Sequence, residues 1–331
     1  MTEAVALPTY GFRTLSENRW ARFTVRRTGR LLVSLWVLVT AAFLMIHVIP
    51  GDPVRAALGP TAPPELVAQW REDLGLNLPL WEQYLNYLQG LFTGDLGTSI
   101  VTRVPVIDII AQRLPATASL ALLAFLAAVI VAVPVGVGIA VATHRGRRRG
   151  LELGFASGSV FVSAIPDFLI GVALVYIFGV QLQLLPVAGR EGPESYILPV
   201  ISLALGVAAV LARIVRVEML SVLDADYVRT ARAKRLPRWR IYFSHALPNA
   251  VTATLTVAGL ILSSLVIGTV FVESVFAWPG LGSTIVGAIQ MKDYPLAQAT
   301  VLVYGALVLI INTIIDWVLA VLDPRTTVAD S

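Results

Sequence analysis

The sequence has no cysteine, two lysines and three histidines among 331 residues. Without cysteine, the chain forms no disulfide, zinc–thiolate site or iron–sulfur cluster and performs no thiol catalysis. The absence of cysteine does not indicate in which redox compartment the protein lies. The two lysines, Lys234 and Lys292, follow alanine and methionine. A nucleotide-binding P-loop needs Gly-Lys-Ser/Thr. We therefore predict that this chain does not itself hydrolyse ATP.

The remaining residues form no catalytic motif. The histidines His47, His144 and His245 are scattered, and neither a His-Glu-x-x-His zinc motif nor a Gly-x-Ser-x-Gly nucleophile turn is present. We predict that the chain is not an enzyme and that it binds no metal or cofactor of its own.

Charged residues are also scarce. They make up 14% of the chain, against about 25% in a soluble domain, and 56% of the residues are hydrophobic. Apolar runs of spanning length predict an all-α integral membrane protein with about six transmembrane helices. The predicted parts are a basic N-terminus (1–30), a first transmembrane helix (31–50), an extracytoplasmic segment with short helices (51–112), a core of five transmembrane helices (113–323) and a tail (324–331).

The basic residues are unevenly distributed between the two sides of these spans. With six spans, 19 of the 25 Lys and Arg residues fall on one side of the membrane. Because positively charged loops stay in the cytoplasm, this bias predicts that both termini are cytoplasmic. The basic residues flank membrane spans, which argues against nucleic-acid binding.

The most basic run is the loop 223–249, which lies between two apolar spans. Nothing from Asp226 to Lys234 breaks a helix, and Asp224 or Asp226 can cap its start and complement the helix dipole. Pro237 then interrupts the pattern. The sequence predicts a short amphipathic helix, a turn, and re-entry into the membrane at Leu247-Pro248.

The order Arg229-Thr230-Ala231, spacer, Leu247-Pro248 resembles the coupling loop of bacterial ABC importer permeases, in the form of their dipeptide/oligopeptide/nickel branch. In that family the short helix docks in a cleft on a cytoplasmic ATPase. The family usually has glycine at the position of Arg235, where a left-handed helix stop costs another residue on the order of 1 kcal/mol. The resemblance implies that the ATPase-coupling residues are Arg229, Thr230, Ala231, Arg232, Ala233, Lys234, Arg235 and Leu236.

Five further strings, at 50–53, 94–99, 273–282, 292–295 and 322–325, are similar to strings of the B-type permease subunits and occur in the same order. The resemblance implies the transmembrane domain of a type I ABC importer in a bacterial inner membrane, forming half of a path for di- or oligopeptides. It also implies a C-type sister permease, two ATP-binding subunits or one fused ATPase that bind ATP and Mg, and an extracytoplasmic solute-binding protein.

Two acidic residues fall inside predicted spans. Asp167, after Pro166, could line the translocation path or bind a substrate amino group. The alternative is that it caps a broken helix after Pro166 or lies near a membrane interface. For Asp316 we expect a structural partner such as a loop arginine. A proton-coupled secondary transporter using Asp167 and Asp316 is the alternative function.

Two segments are candidates for contact with a binding protein. One is the segment 51–112, whose apolar helix face could instead anchor at the membrane interface. The other is the string after the fifth span, with Phe276, Trp278, Pro279 and Gly280.

Overall fold

The computed structural model describes residues 19–48, 53–59, 61–73 and 75–322. The predictions for 1–18, for the string at 50–52 and for 323–331 lie outside the described residues. Regular structure in the described part is helical, apart from one isolated bridge between Thr98 and Pro105.

The helices of the described residues are numbered α1 to α13 in chain order. They are α1 (Arg19–Val48), α2 (Pro53–Leu58), α3 (Pro64–Asp73), α4 (Leu80–Thr93), α5 (Val106–Thr143), α6 (Arg149–Ala164), α7 (Asp167–Leu174), α8 (Ile197–Leu223), α9 (Asp226–Ala233), α10 (Arg238–Arg240), α11 (Leu247–Val275), α12 (Leu281–Gln290) and α13 (Tyr294–Leu322). A π-helical stretch extends α7 through Val175–Gln181, and another, Ile241–Ala246, joins α10 to α11.

Five helices of the described part are long and apolar enough to cross a membrane, namely α1, α5, α8, α11 and α13. The pair α6 and α7 counts as a sixth span if its 90° bend is included. This confirms the prediction of about six transmembrane helices. The third predicted span is a broken helix because Pro166, which cannot donate a backbone hydrogen bond, lies at the break.

The centre of the bundle is formed by α5, α8 and α11. Close contact of α5 with α8 depends on Gly136, where a Cβ atom would lie 2.6 Å from the carbonyl oxygen of Ala212. Small residues at a crossing let helix backbones approach closely, which is how membrane helices gain packing energy. Gly136 therefore permits the close packing of α5 on α8.

The first and last helices pack against each other. The guanidinium of Arg27 on α1 lies 2.7 Å from the carboxylate of Asp316 on α13, and Phe23 is buried beside Ala320. Asp316 thus has the structural arginine partner that was predicted, on a helix rather than in a loop. Because α1 begins at Arg19, part of the predicted N-terminal segment 1–30 is helical.

The helices α2 to α4, which belong to the segment 51–112, are not among the helices that could span a membrane. Pro64 opens α3, and α4 follows Pro79. Val54, Val67, Trp70 and Ile100 form a small hydrophobic cluster of their own. This segment therefore has ordered helical structure next to the bundle.

Candidate functional site

The basic end of the bundle is the end that carries residues 144–149 and 223–241. Here α9 forms a separate short helix between α8 and α11. Its inner face is apolar, with Val228 fully buried and Ala231 7% exposed. Both join a hydrophobic cluster with Met219 of α8 and Ile241 before α11. The apolar spacing of three residues seats α9 firmly on the ends of two spanning helices.

The end of α9 has the geometry of a Schellman motif. Arg235 has φ of 55°, the left-handed conformation that glycine adopts most easily. Its N–H donates to the carbonyl of Arg232 at 2.9 Å, and the N–H of Leu236 donates to the carbonyl of Ala231 at 3.3 Å. These are the two bonds that define the motif. The helix stop is thus retained, with arginine at the strained position.

The start of α9 lacks the predicted side-chain cap. The N-cap residue is Ala225, without a side-chain hydrogen bond, and Asp226 is the first helical residue, where it complements the helix dipole. The carboxylate of Asp224 lies 3.0 Å from Nε2 of His144 instead. This contact ties the loop after α8 to the loop after α5.

The outer face of α9 is polar and open to solvent. Of the predicted coupling residues, Ala231 is buried, while Arg232 and Leu236 are partly buried. The sequence did not single out Tyr227, whose exposed ring lies on this same face. The exposed members of the predicted set are Arg229, Thr230, Ala233, Lys234 and Arg235.

A cleft of about 380 Å³ lies beside α9, and we call it the basic cleft. None of its lining residues is acidic. Within the described residues its arginines form no ion pair, so their charges are available to an external anionic group. The charged and titratable residues that line it are His144, Arg145, Arg147, Arg232 and Arg238.

Asp167 is the first residue of α7, directly after the break. A Cβ atom on Gly206 of α8 would lie 3.4 Å from its Oδ1, and one on Gly268 of α11 would lie 3.3 Å from its Oδ2. The carboxylate is thus wedged between two spanning helices and away from either end of the bundle. Its position after Pro166 fits the broken-helix alternative, but no side-chain cap hydrogen bond forms there.

An ionised carboxylate at membrane depth carries a substantial cost. Insertion scales assign an aspartate at the centre of a spanning helix about 2.5–3.5 kcal/mol. The N-terminus of a helix such as α7 returns at most about 2 kcal/mol. No hydrogen bond or ion pair reaches the Asp167 carboxylate from the described residues. Part of the cost is therefore uncompensated by the part of the chain that the structure describes.

At the opposite end of the bundle, the turn 276–282 is held by a second acidic residue. Glu273 is fully buried, and its carboxylate accepts hydrogen bonds from the hydroxyl of Thr117 at 2.7 Å and from the N–H of Ser283 at 3.0 Å. The indole N–H of Trp278 donates to the carbonyl of Ala116 at 3.1 Å. These bonds fasten the turn to α5 at Ala116 and Thr117.

The predicted binding-protein contacts lie within this turn. Phe276, Trp278 and Gly280 are buried, and Pro279 is partly exposed. Inside this chain their role is packing, and contact with a binding protein stays a prediction. Ala277, which was not singled out, is the exposed residue of the turn.

A third buried carboxylate, that of Asp293, joins the strings at 94–99 and 292–295. It accepts hydrogen bonds from the hydroxyl of Ser99 and from the N–H of Ile100, the latter at 3.1 Å. Glu273 and Asp293 were not predicted as structural residues. An isolated acidic residue next to an apolar span was the available signal, because such a residue is stable there only when hydrogen-bonded.

A bundle of about six apolar spans, with a seated surface helix and a basic cleft at one end, is the architecture of a membrane-embedded transport subunit. Residues 132–328 match the family described as binding-protein-dependent transport system inner membrane component. Residues 20–121 match the N-terminal membrane component of the same systems. The chain belongs to this family, and it is an inner-membrane permease component of an ABC importer.

Individual relatives agree with this assignment. The glutathione transport system permease protein GsiC of Escherichia coli O6:H1 is 37% identical over 304 residues, which cover 91% of this chain and 97% of that protein. The GsiC proteins of Escherichia coli K12 and of Shigella dysenteriae are each 36% identical with the same coverage. The alternative of a proton-coupled secondary transporter has no support among these relatives.

One solved structure is also similar. It is the crystal structure of an amino acid ABC transporter with histidines, with 17% identity and a TM-score of 0.48. The match covers 64% of this chain and 93% of that chain.

Proposed function

We propose that this chain forms half of the translocation path of a peptide importer and that cytoplasmic ATPases drive it through α9. The relatives that match over 91% of the chain are named for glutathione transport, and glutathione is a small peptide. The observation that carries the coupling proposal is the placement of α9, with one face buried on the bundle and the other exposed.

The attachment of α9 explains how a force on it would reach the membrane. It follows α8 after a two-residue link, and a continuous helical run from Arg238 leads through the π-helical stretch into α11. Val228 and Ala231 fix it to both helices through the shared cluster. A displacement of α9 therefore shifts the ends of α8 and α11 together. Coupling also requires that the ATPases bind α9 differently in their two states, because equal binding would shift nothing.

The basic end is the cytoplasmic side in this proposal, since its loops hold most of the positive charge. The ATPase surface that meets α9 would place acidic side chains at the basic cleft, where arginines form charge-assisted hydrogen bonds with carboxylates. ATP and Mg are bound by these partners, which are either two ATP-binding subunits or one fused ATPase.

The remaining partners are a second, C-type permease subunit and an extracytoplasmic solute-binding protein. The binding protein would meet the opposite end of the bundle, where Ala277 and the exposed ring of Trp81 on α4 face outward. A photoreactive residue at position 277 tests this contact. Crosslinks to the binding protein support it, whereas crosslinks to lipid alone contradict it.

Affinity purification of this chain from its native membrane in mild detergent, followed by mass spectrometry, tests the complex itself. Recovery of a second permease and of a protein with a P-loop is expected. Recovery of this chain alone, under conditions that keep other membrane complexes intact, would contradict the proposal.

A further inference from the structure

We propose that the Asp167 carboxylate is a cation-recognition point on the translocation path and that it pairs there with the ammonium group of a peptide substrate. This inference rests on the proposed function. It goes beyond it by naming the charge of the group recognised within the membrane and the residue that recognises it.

The depth of Asp167 supports this role. Its carboxylate contacts Gly206, which lies about 14 Å along α8 from Ile197 at 1.5 Å per residue. It also contacts Gly268, which lies about 10 Å from the end of α11 at Val275. The two helices independently place the carboxylate about 10–14 Å from the end of the bundle that carries the turn 276–282, a distance that falls inside a hydrocarbon layer about 30 Å thick.

Among the described residues, no group near the carboxylate neutralises it. The hydroxyl of Ser202 donates to the backbone carbonyl of Asp167 at 2.6 Å, which holds the break in place but leaves the carboxylate oxygens unbonded. No described residue donates a hydrogen bond to the carboxylate oxygens of Asp167 or forms an ion pair with them. Two glycines adjoin the oxygens, so no side chain at these positions blocks access to them.

An aromatic pair on the same stretch of α7 and α11 favours the same sign of charge. Phe168 follows Asp167 directly, and Phe271 lies one helical turn from Gly268. Their ring centres are 5.9 Å apart, and both rings are exposed on the surface of this chain. Aromatic faces attract ammonium groups through their negative electrostatic potential. A desolvated peptide ammonium would thus find a carboxylate and aromatic faces at one depth.

Because the chain has no cysteine, a cysteine introduced at position 167 would be the one thiol of this chain, and a charged thiol reagent can restore a charge there. Complexes reconstituted with the sister permease, ATPases and binding protein would carry Asp167→Asn, Asp167→Glu or Asp167→Cys. The probes are glutathione and dialanine. Glu194→Gln, an exposed carboxylate in an outer loop, is the matched control.

We expect Asp167→Asn to lower uptake of both peptides at least about tenfold and Asp167→Glu to retain most of it. The Asp167→Cys complex should regain uptake after labelling with a negatively charged methanethiosulfonate reagent and should not regain it with a trimethylammonium reagent. In the Asp167 variants, co-purification of the sister permease and the basal ATPase rate should stay unchanged. Glu194→Gln and the labelled wild type should take up both peptides at the wild-type rate.

Wild-type uptake by Asp167→Asn would overturn the inference, and so would equal effects of the two reagents. Loss of the sister permease from Asp167→Asn would also overturn it, because the carboxylate would then pair with a cation of that subunit. Failure of the wild-type complex to import either peptide would instead refute the proposed peptide function and, with it, this inference.

Discussion

The hydroxyl of Thr117 donates a 2.7 Å hydrogen bond to the carboxylate of Glu273, 156 positions further along the chain. The hydroxyl oxygen of Thr117 also accepts a hydrogen bond from the backbone N–H of Leu281 at 2.8 Å. One threonine of α5 thus joins that helix to the end of α11 and the start of α12. This contact explains why the turn 276–282 is packed into the bundle although it lies at the end of a span.

Replacing Thr117 by valine keeps the shape of the side chain but removes the hydroxyl. Glu273 then loses a donor and the N–H of Leu281 loses its acceptor, and each unmet buried group costs about 1–3 kcal/mol. We expect a lower thermal unfolding midpoint for the purified complex. Thr117→Ser retains the hydroxyl and should behave much more like wild type. Equal midpoints for the valine and serine variants would contradict this role.

Gly282 must be glycine because its surroundings leave no room. A Cβ atom there would lie 2.6 Å from the Cα of Val270 and 2.9 Å from Oε2 of Glu273. Gly282→Ala should therefore destabilise the protein by about 1–3 kcal/mol through overpacking. Gly287, on the same helix, has open space at its Cβ position.

Gly287→Ala is the matched control, because alanine favours a helix by about 1 kcal/mol over glycine. The two variants should shift the unfolding midpoint in opposite directions. A Gly282→Ala protein as stable as the Gly287→Ala protein would show that the turn is not packed as described.

Because Arg235 has a left-handed backbone conformation, replacing it by glycine should stabilise the end of α9. Arg235→Gly should relieve up to about 1 kcal/mol of backbone strain and slow hydrogen exchange of the α9 amides. Lys234→Gly is the comparison, since Lys234 has φ of −72° and gains nothing from glycine. Faster exchange in Arg235→Gly than in wild type would mean that the helix stop is not strained.

The ion pair of Arg27 and Asp316 should couple α1 to α13. Each side chain is about one quarter exposed, so a double-mutant cycle with Arg27→Met and Asp316→Asn should give about 1–3 kcal/mol. The exposed pair Arg229–Asp226, at 3.2 Å, should give about 0.5 kcal/mol or less. Equal coupling energies would show that the first pair contributes no more than a surface contact.

Local sequence patterns were sufficient to predict the membrane spans and the helix α9. Runs of apolar residues set the spans, and the stretch Asp226 to Lys234, with Pro237 beyond it, set the short helix almost to its last residue. The cap could not be predicted, because the carboxylate of Asp224 meets His144, 80 positions away. The residues next to Asp224 and His144 in the sequence give no indication that these two side chains pair.

The same limit explains the turn after α11. The string after the fifth span was a candidate for partner contact, yet Trp278 is fully buried, and the backbone carbonyls of Ala116 and Glu273 accept its hydrogen bonds. The 90° break at Pro166 was open to two interpretations from sequence. Only the placement of Gly206 and Gly268 shows that the Asp167 carboxylate lies between two spanning helices.

The central claim, that ATPases dock on the exposed face of α9, is tested most directly by one substitution made on both faces. Ala231→Glu buries a charge in the cluster under α9, so it should lower the stability of the chain and, with it, transport. Ala233→Glu changes the exposed face and leaves that cluster intact. Charge reversal of Arg232 and Lys234 together should act like Ala233→Glu, and Lys292→Glu at the opposite end is the control.

The decisive measurement is uptake together with ATPase co-purification for Ala233→Glu. The account predicts a stably inserted protein with wild-type unfolding temperature that loses most of its uptake and releases the ATPase. An Ala233→Glu protein that keeps its ATPase and transports like wild type would contradict the docking of α9.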